Sequence, residues 1–514
     1  MHPAEKPFGN LRQQEAAPDA AGLEPEADGS GQLQMPTRDG VGHGVGVLGY
    51  RGAISSAVSI KSILLLAMPT LAEQFFSAGI GITDTIVAGH TGIGSADHAA
   101  ASAAVGAMSY LQWFAGLMSS ALGVGATAIV ARAIGAKRPR MASRVAGTAC
   151  AAAFLVGLAI AILFYLFPQI TVQIFGLRGY AAILGAKYLR IMSLTICFQT
   201  AGQIGMACLR GAGDTFRPML VTLVTTVVNC IATPALSFGW FGLPRWGIEG
   251  NATGTLMAFA LAGVLTTAFL LSGTAGLQLR LRHFKIIPHL LWRMMRIGIP
   301  SWAEGMLLWG GQALIVIFAI NPTDRAVGVD GATLAAHTAT LRIESLAFLP
   351  GFGFGIACSA LVGQALGAGR PDDAVRVTKL SKYLAFGTMT CAALPMVIFP
   401  RFMMHFMVDS DQVIATGVVP LIIAGLAQPG FAIGIIKSSA LKGAGETVMP
   451  MLATITGMCL RLCLVVALLF LFGRLGHPAW GLIAVWISIF IDLNYRAVFN
   501  TVVFRKGRWK EKQV

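Results

Sequence analysis

Charged residues are scarce in this chain: only 12% of its 514 residues are Asp, Glu, Lys or Arg, about half the share found in soluble globular proteins. Hydrophobic residues make up 55% of the chain, and the mean hydropathy is +0.70. The composition therefore excludes an ordinary soluble domain and indicates a polytopic membrane protein.

About twelve apolar stretches are long enough, at about 1.5 Å per residue, to cross a hydrocarbon core of about 30 Å. Short polar or Gly/Pro-containing breaks separate them. We predict spans near 61–90, 99–131, 143–168, 181–208, 218–240, 250–273, 291–320, 332–364, 374–400, 411–439, 450–472 and 479–503.

The chain also lacks the motifs of several functional classes. It has no phosphate-binding Walker loop, no dinucleotide fingerprint and no GxSxG nucleophile elbow, so ATP-driven transport and hydrolysis have no sequence support. Its eight cysteines lie in or at the ends of predicted spans, without the spacing of a metal cluster. We therefore predict no disulfide, no metal site, no catalytic residue and no cofactor other than a coupling ion.

One seven-residue phrase occurs twice, as LRGAGDT at 209–215 and LKGAGET at 441–447, each with Pro-Met three residues on. The same offset of 232 positions pairs Arg138-Pro139 with Arg370-Pro371. The sequence therefore contains two homologous halves of six spans each. Because six spans return a chain to its starting side, the halves have parallel topology, which is typical of alternating-access transporters.

These patterns predict an all-α polytopic membrane protein with twelve transmembrane helices in two homologous six-helix lobes. Residues 1–52 are polar, acidic and rich in Gly and Pro, which predicts a disordered cytoplasmic tail. No apolar run follows a basic start there, so the tail is not a signal peptide. The N-lobe, with helices 1–6, is predicted over 53–283. The C-lobe, with helices 7–12 and a basic C-terminal tail, is predicted over 284–514.

Basic residues are concentrated on one side of the predicted membrane topology. Alternate loops carry clusters within 132–144, 280–296, 370–382 and 505–512, whereas the opposite loops hold only a few basic residues. This asymmetry places both termini in the cytoplasm, in a multi-pass protein of the cell (inner) membrane. Because the positive charge is spread over loops of a membrane protein, we expect no nucleic-acid partner.

Acidic residues inside the spans are the main functional candidates. Glu73 and Asp84 are 11 residues apart in the first span, which places them on nearly one helix face about 16 Å apart. Both should face inward, and an intramembrane acid facing a cavity is a functional candidate. The alternative is structural: a hydrogen bond from Asp84 to a neighbouring helix, or a tie from Glu73 to backbone groups freed by Pro69. Glu304, the repeat mate of Glu73, carries the same two interpretations.

The eighth span holds a second polar cluster, formed by His337, Arg342 and Glu344. Together with Glu73 and Glu304 these residues are a possible substrate or proton site, because burial favours the protonated form of a carboxylate. The structural alternative is that Arg342 neutralises Glu344 as a fixed pair. In the last span, Asp492 and Arg496 are spaced as an i,i+4 pair, which we interpret as structural.

The chain resembles the multidrug and toxic compound extrusion (MATE) transporters over about residues 60–500. The phrases that carry the resemblance are specific in order, spacing and duplication. They are Pro69 to Glu73, TDTIVAG at 83–89, GVGATAIVARAIGA at 123–136, LRGAGDT with Pro218, AAHTATLRIESLAFLPGFGFG at 335–355, ALVGQALGAGRP at 360–371, and LKGAGET with Pro450.

The resemblance implies two lobes around a central cleft that export small amphipathic, often cationic compounds in exchange for H⁺ or Na⁺. Asp84 matches the aspartate of the family's N-lobe cation site, Asn229 its fifth-helix asparagine and Thr255 its sixth-helix threonine. Where many members carry a second aspartate, this chain has Thr233. A single carboxylate among neutral partners favours H⁺ over Na⁺ as the coupling ion.

The leading hypothesis is therefore a secondary active multidrug efflux antiporter, monomeric in the lipid bilayer, that works by alternating access with Asp84 as coupling residue. One alternative is a flippase of lipid-linked cell-envelope precursors, which should line its cleft with several Arg and Lys. A second is a membrane-embedded enzyme, which would need converging catalytic groups. A cleft between two lobes, lined by Asp84, would exclude the packed core of such an enzyme.

Overall fold

The computed structural model describes residues 59–91, 95–273, 277–320, 323, 331–474 and 480–512, so the predicted tail at 1–52 lies outside the described residues. The first half contains α1 (Ile60–Gly89), α2 (Ser95–Gly135), α3 (Pro139–Leu166), α4 (Pro168–Ile174), α5 (Gly179–Ala212), α6 (Phe216–Phe238) and α7 (Ile248–Ser272). The second contains α8 (Pro288–Ile315), α9 (Ala332–Gly367), α10 (Pro371–Ile398), α11 (Pro400–Met407), α12 (Asp411–Gly443), α13 (Val448–Arg474) and α14 (Gly481–Arg505).

Shorter helical segments complete the described chain. Three 3₁₀ turns cover Trp240–Gly242, Leu281–Phe284 and Arg508–Lys510, and a π-helical segment, Val316–Ile320, continues α8. Among the described residues, eleven helices are long and apolar enough to cross a membrane, and α10 with α11 forms a twelfth, broken span bent by 87°. The predicted all-α fold with twelve spans in two lobes is confirmed.

Proline ends the third span of each half at a matching point. Phe167 (φ −120°, ψ 47°) precedes Pro168, and Phe399 (φ −124°, ψ 48°) precedes Pro400. Proline lacks an N–H and disfavours helical backbone in the residue before it, so the helix breaks and restarts. The two halves therefore repeat in backbone conformation as well as in sequence.

The duplicated phrase encodes a helix end followed by a helix start. Gly213 (φ +93°) and Gly445 (φ +79°) adopt the left-handed conformation after α5 and α12, which glycine alone adopts without a Cβ penalty. The carboxylates of Asp214 and Glu446 then accept the backbone N–H three residues on, at 3.1 and 3.2 Å. An acceptor at this place satisfies a free N–H at the start of the next helix.

Helix packing repeats between the halves. In the first half α1 packs on α6, α2 on α5 and α6 on α7, and in the second α8 packs on α13, α9 on α12 and α13 on α14. The first helix of each half also reaches the other half. Ile63 and Leu66 of α1 join the apolar core around α9 and α12, while Met294 and Ile297 of α8 join the core around α2 and α3.

Glycines bring the two lobes into backbone contact at one end of the bundle. A Cβ on Gly135 would collide with the backbone of Gln364, and a Cβ on Gly367 would collide with the backbone of Arg132. Positions 132 and 364 are related by the repeat offset, so the contact is reciprocal. Both turns of the repeat, at 136–138 and 368–370, therefore lie at the same end of the molecule, as the repeat predicts. The cytoplasmic assignment of that end stays a prediction.

Candidate functional site

Four polar residues meet inside the N-lobe and form what we call the N-lobe polar site: Asp84, Asn229, Thr233 and Thr255. Thr255 donates to the Asp84 Oδ1 at 2.9 Å, and the Asn229 amide donates to the same oxygen at 3.1 Å. The amide nitrogen also lies 3.1 Å from the hydroxyl of Thr233 and 3.0 Å from that of Thr255. Asp84 is 5% exposed and the other three are fully buried, so the three residues matched by family resemblance form one buried network with Thr233, the departure from the family pattern.

Local sequence explains why α1, α6 and α7 can converge at this point. Gly254 on α7 faces the backbone of Thr233 so closely that a Cβ would collide with it, and this lets Thr255 reach the site. On α6, Pro234 lacks an N–H and therefore leaves the carbonyl of Cys230 without its helical donor.

A fifth residue, Asn251, was missed at the sequence level. Its amide donates to the backbone carbonyl of Asp84 at 2.9 Å, and it is fully buried. The side-chain oxygens of Asn251 and Asn229 are both buried without a hydrogen-bond partner. The spacing could have indicated this residue, because Asn251 lies one turn before Thr255 on the same face of α7.

The charge environment separates Asp84 from other buried acids of the described chain. Among the described residues, Asp84 has no Lys or Arg partner, and its stabilising neighbours are the neutral Asn229 and Thr255. Removing a carboxylate from water without a counter-charge is costly. A site of this composition can take up either a proton or a small cation.

Glu73 and Glu304 belong to a pair of repeated ion pairs. The Arg210 guanidinium donates to Glu73 at 2.6 Å, and the Lys442 ammonium lies 2.9 Å from Glu304. Thr454 adds a weak hydrogen bond to Glu304 at 3.4 Å. Both bases come from the duplicated phrase, at its second residue. The sequence analysis did not predict Arg210 and Lys442 as the partners of Glu73 and Glu304. Their equivalent positions in the duplicated phrase could have indicated it.

A cavity of about 390 Å³ lies beside the Glu73 pair. Its walls come from α1, α2, α5, α6 and α7, with α9 and α12 closing it from the other lobe. Glu73, Arg210 and Lys442 reach the wall among many Ser, Thr and Gln side chains. Asp84 is not among the lining residues of this cavity, so a cleft lined by Asp84 stays a prediction. The wall includes Ile80, which lies one helical turn before Asp84 on α1. Asp84 itself is held by hydrogen bonds to α6 and α7.

His337 and Glu344 lie in a buried polar cluster of the C-lobe. Gln428 donates to Glu344 at 3.2 Å, and Glu344 also lies within electrostatic range of Arg461. The Gln312 amide nitrogen lies 2.8 Å from His337 Nε2. In that geometry the amide donates and the imidazole accepts, which keeps this nitrogen of His337 unprotonated.

Arg342 does not belong to that cluster, so its predicted place there is wrong, and so is the structural alternative in which it neutralises Glu344. Its side chain is exposed, whereas Glu344 is buried. Residues two apart on an α-helix point about 200° apart, so a spacing of two cannot form a helical pair. The basic neighbour of Glu344 is Arg461 of α13.

The predicted pair in the last span is confirmed. Arg496 donates two hydrogen bonds of 2.6 Å to the two oxygens of Asp492. Arg461 lies 4.0 Å from the same carboxylate. Asp492 is therefore shared by two guanidinium groups, which the spacing along one helix could not reveal.

Comparison with known proteins identifies relatives along nearly the whole chain. A family model described as MatE matches residues 69–234 and 300–467. The chain is 28% identical over 462 residues to a probable multidrug resistance protein NorM of Thermotoga maritima, covering 88% of this chain and 94% of that protein. It is 26% identical over 403 residues to the multidrug resistance protein PmpM of Pseudomonas aeruginosa, covering 77% and 81%.

Solved structures share the fold. An outward-facing multidrug resistance MATE family transporter of the MOP superfamily matches with a TM-score of 0.76 at 21% identity, over 89% of this chain and 98% of that one. A MOP superfamily transporter from Pyrococcus furiosus matches with a TM-score of 0.76 at 21% identity, over 88% and 98%. At this level of identity the likeness extends to architecture alone.

Proposed function

Because the chain belongs to the MatE family of multi-pass membrane transporters, we propose that it is a secondary active multidrug efflux antiporter. It exports small amphipathic, often cationic compounds in exchange for a cation that enters the cell. The relatives named as multidrug resistance proteins support this activity. The family consists of transporters, so the membrane-embedded enzyme is excluded.

The buried Asp84 carboxylate carries the coupling proposal. It has no basic partner among the described residues, and hydrogen bonds from Asn229 and Thr255 hold it in place. A group of this kind is stable when a mobile cation neutralises it, and it becomes costly when that cation leaves. Binding and release of the cation therefore change the energy of the N-lobe, which is what coupling requires.

We assign the proton as the coupling ion. Asp84 is the single carboxylate of the N-lobe polar site, and its side-chain partners are neutral. Burial favours the neutral form of such an acid, so one proton suffices to balance the site. Thr233, in place of a second acid, hydrogen bonds to Asn229 and adds no charge.

Sodium is the second candidate, and one observation favours it. The side-chain oxygens of Asn229 and Asn251 are buried without partners. Together with Asp84 these groups would offer several oxygen ligands, the donors that a hard cation prefers. Transport measurements must separate the two ions.

The way the lobes meet supports a mechanism of alternating access. Backbone-to-backbone approaches such as those at Gly135 and Gly367 tie α2 to α9 near the turns at 136–138 and 368–370. We assign that end to the cytoplasm because basic residues are concentrated there, and under this assignment the described conformation is closed toward the cytoplasm. Rocking of one lobe against the other about α2 and α9 would open that side. Both termini then lie in the cytoplasm, and the protein resides in the inner membrane.

The cavity supports a drug-sized, weakly polar substrate. About 390 Å³ is within the range of small-molecule sites, and its lining is largely apolar with Ser, Thr and Gln side chains. Its two bases, Arg210 and Lys442, are each paired with a glutamate. The cavity therefore lacks the unpaired positive charge that a pyrophosphate-linked lipid would need, which disfavours the flippase. One cavity within one chain needs no partner, and we propose a monomer.

The first experiment tests Asp84. In proteoliposomes loaded with ethidium, a permanent organic cation, Asp84→Asn should abolish gradient-driven transport while leaving folding and membrane insertion intact. Asp409→Asn is the matched control, because Asp409 is exposed, and it should transport like wild type. Wild-type transport by Asp84→Asn would contradict the coupling role.

The second experiment separates the two ions. H⁺ and Na⁺ gradients are imposed one at a time, with the other gradient collapsed by an ionophore. We expect an H⁺ gradient alone to drive ethidium transport. Full activity at fixed pH with a Na⁺ gradient as the sole driving force would overturn the proton assignment and favour the sodium candidate.

A further inference from the structure

The internal repeat shows what the C-lobe has at the positions of the N-lobe polar site. The register is fixed in α1 and α8 by Pro69 and Pro300, in α6 and α13 by Pro218 and Pro450, and in α7 and α14 by the Trp-Gly pairs at 246–247 and 480–481. In the order Asp84, Asn229, Thr233 and Thr255, the C-lobe counterparts are Ile315, Arg461, Val465 and Ile489.

Three of the four counterparts are apolar and lie in one hydrophobic core. Ile315, Val465 and Ile489 are all buried in the cluster that packs α8, α9, α13 and α14 together. Val485, the counterpart of Asn251, belongs to the same cluster. Tightly packed aliphatic side chains supply no oxygen ligand for a cation. The C-lobe position equivalent to the N-lobe polar site therefore cannot take up a mobile ion.

The fourth counterpart, Arg461, brings a fixed positive charge to the place of Asn229. Its side chain is 8% exposed, and its guanidinium lies 4.0 Å from Asp492 and within electrostatic range of Glu344. Arg496 holds the same Asp492 by two hydrogen bonds, so Arg461 is a second positive charge beside Asp492 and within range of Glu344. With all four groups ionised, the two acids and two bases of the cluster balance each other.

The other groups facing this cluster are uncharged. Gln428 of α12 donates to Glu344. His337 of α9 accepts from Gln312 of α8 and packs against Trp486 of α14 with the two rings tilted, their centroids 5.6 Å apart. Among the described residues, the charge balance of the cluster therefore depends on Glu344, Arg461, Asp492 and Arg496.

We propose that Arg461 is a built-in cation of the C-lobe, which balances a buried carboxylate as a mobile ion does in the N-lobe. Arg461 thereby restricts ion exchange to the N-lobe, with one ion per transport cycle. The claim about the N-lobe rests on the proposed function of Asp84. The claim about the C-lobe rests on the surroundings of Arg461 alone.

Counting the protons bound by the protein tests the N-lobe claim and the C-lobe claim separately. Purified wild type, Asp84→Asn, Arg461→Gln and the double variant are titrated in detergent between pH 5 and 9, and the difference curves count bound protons. Without Arg461, Glu344 can become neutral only by binding a proton. We therefore expect Arg461→Gln to bind about one more proton per molecule at pH 7, with or without Asp84. Asp84→Asn should remove one titrating group from the wild-type curve.

Two controls separate charge from shape. Arg461→Lys keeps the cation and should bind no extra proton, and Arg342→Gln removes an exposed arginine from outside the cluster and should leave the count unchanged. An unchanged count in Arg461→Gln, or an extra proton in Arg461→Lys, would overturn the built-in cation. An unchanged curve for Asp84→Asn would instead count against the proposed function.

A folding failure also gives an answer. If Arg461→Gln does not fold, the charge-balanced double variant Arg461→Gln with Glu344→Gln should regain a monodisperse elution profile and bind no extra proton. Recovery would support charge compensation between the two residues. A double variant that remains unfolded would show that Arg461 acts through packing, and would refute the proposal.

Discussion

Removing one partner of a repeated ion pair should cost nearly as much stability as removing both partners together. The Glu73 and Arg210 side chains are 9% and 16% exposed, and the pair is joined by a 2.6 Å hydrogen bond. Removing one partner of a buried pair leaves an unpaired charge, which costs about 3–5 kcal/mol. Because the cavity gives this pair some access to water, we expect the low end, about 3 kcal/mol, for Arg210→Gln.

The second pair provides the matched comparison. Lys442 and Glu304 are 26% and 11% exposed at 2.9 Å, and Lys442 offers no bidentate fork. We therefore expect about 2 kcal/mol for Lys442→Gln, smaller than for Arg210→Gln. Double-mutant cycles should give coupling energies of about 2–3 kcal/mol for the first pair and about 1–2 kcal/mol for the second.

The free energy of unfolding is measured by SDS titration in mixed micelles, followed by tryptophan fluorescence, for the single and double variants. Both couplings should persist at 1 M salt, because buried pairs are screened less than exposed ones. A coupling below about 0.5 kcal/mol for Glu73 and Arg210 would show an additive surface pair. A stronger coupling for the lysine pair would refute the argument from burial and geometry.

Three further predictions concern the backbone, the topology and the C-terminus. Gly213→Ala should lower the unfolding free energy by about 1–2 kcal/mol because φ is +93° there, whereas Gly473→Ala, in open space on α13, should not destabilise in the same SDS titration. Cysteines introduced at Arg138 and Arg370 in a cysteine-free background should resist an impermeant thiol reagent in intact cells; strong labelling would overturn the cytoplasmic assignment. Trp509→Ala should cost about 3 kcal/mol, since the indole is 2% exposed and stacked on a neighbouring ring, and trypsin should then cleave the C-terminal segment faster than in wild type.

The spans, the two lobes and the inward-facing acids could be predicted from the sequence, because the signals are local or periodic. A run of about twenty apolar residues indicates a membrane span regardless of the sequence around it. The duplicated LRGAGDT phrase reports a helix end because glycine at 213 and 445 is needed for a left-handed turn. The spacing of Glu73 and Asp84 placed both on the buried face of α1, where they are found.

Partners between helices were decided by the tertiary structure. Arg342 is two residues from Glu344 and yet faces away from it, while Arg461, on another helix, lies within electrostatic range of Glu344. Such pairings depend on how each helix is rotated and how closely two helices approach, and small residues such as Gly254 and Gly135 set those approaches. A sequence records which glycines and charges a helix carries. Which of them face each other is determined only when the helices pack, since packing must bury the apolar faces and pair the buried charges at the same time.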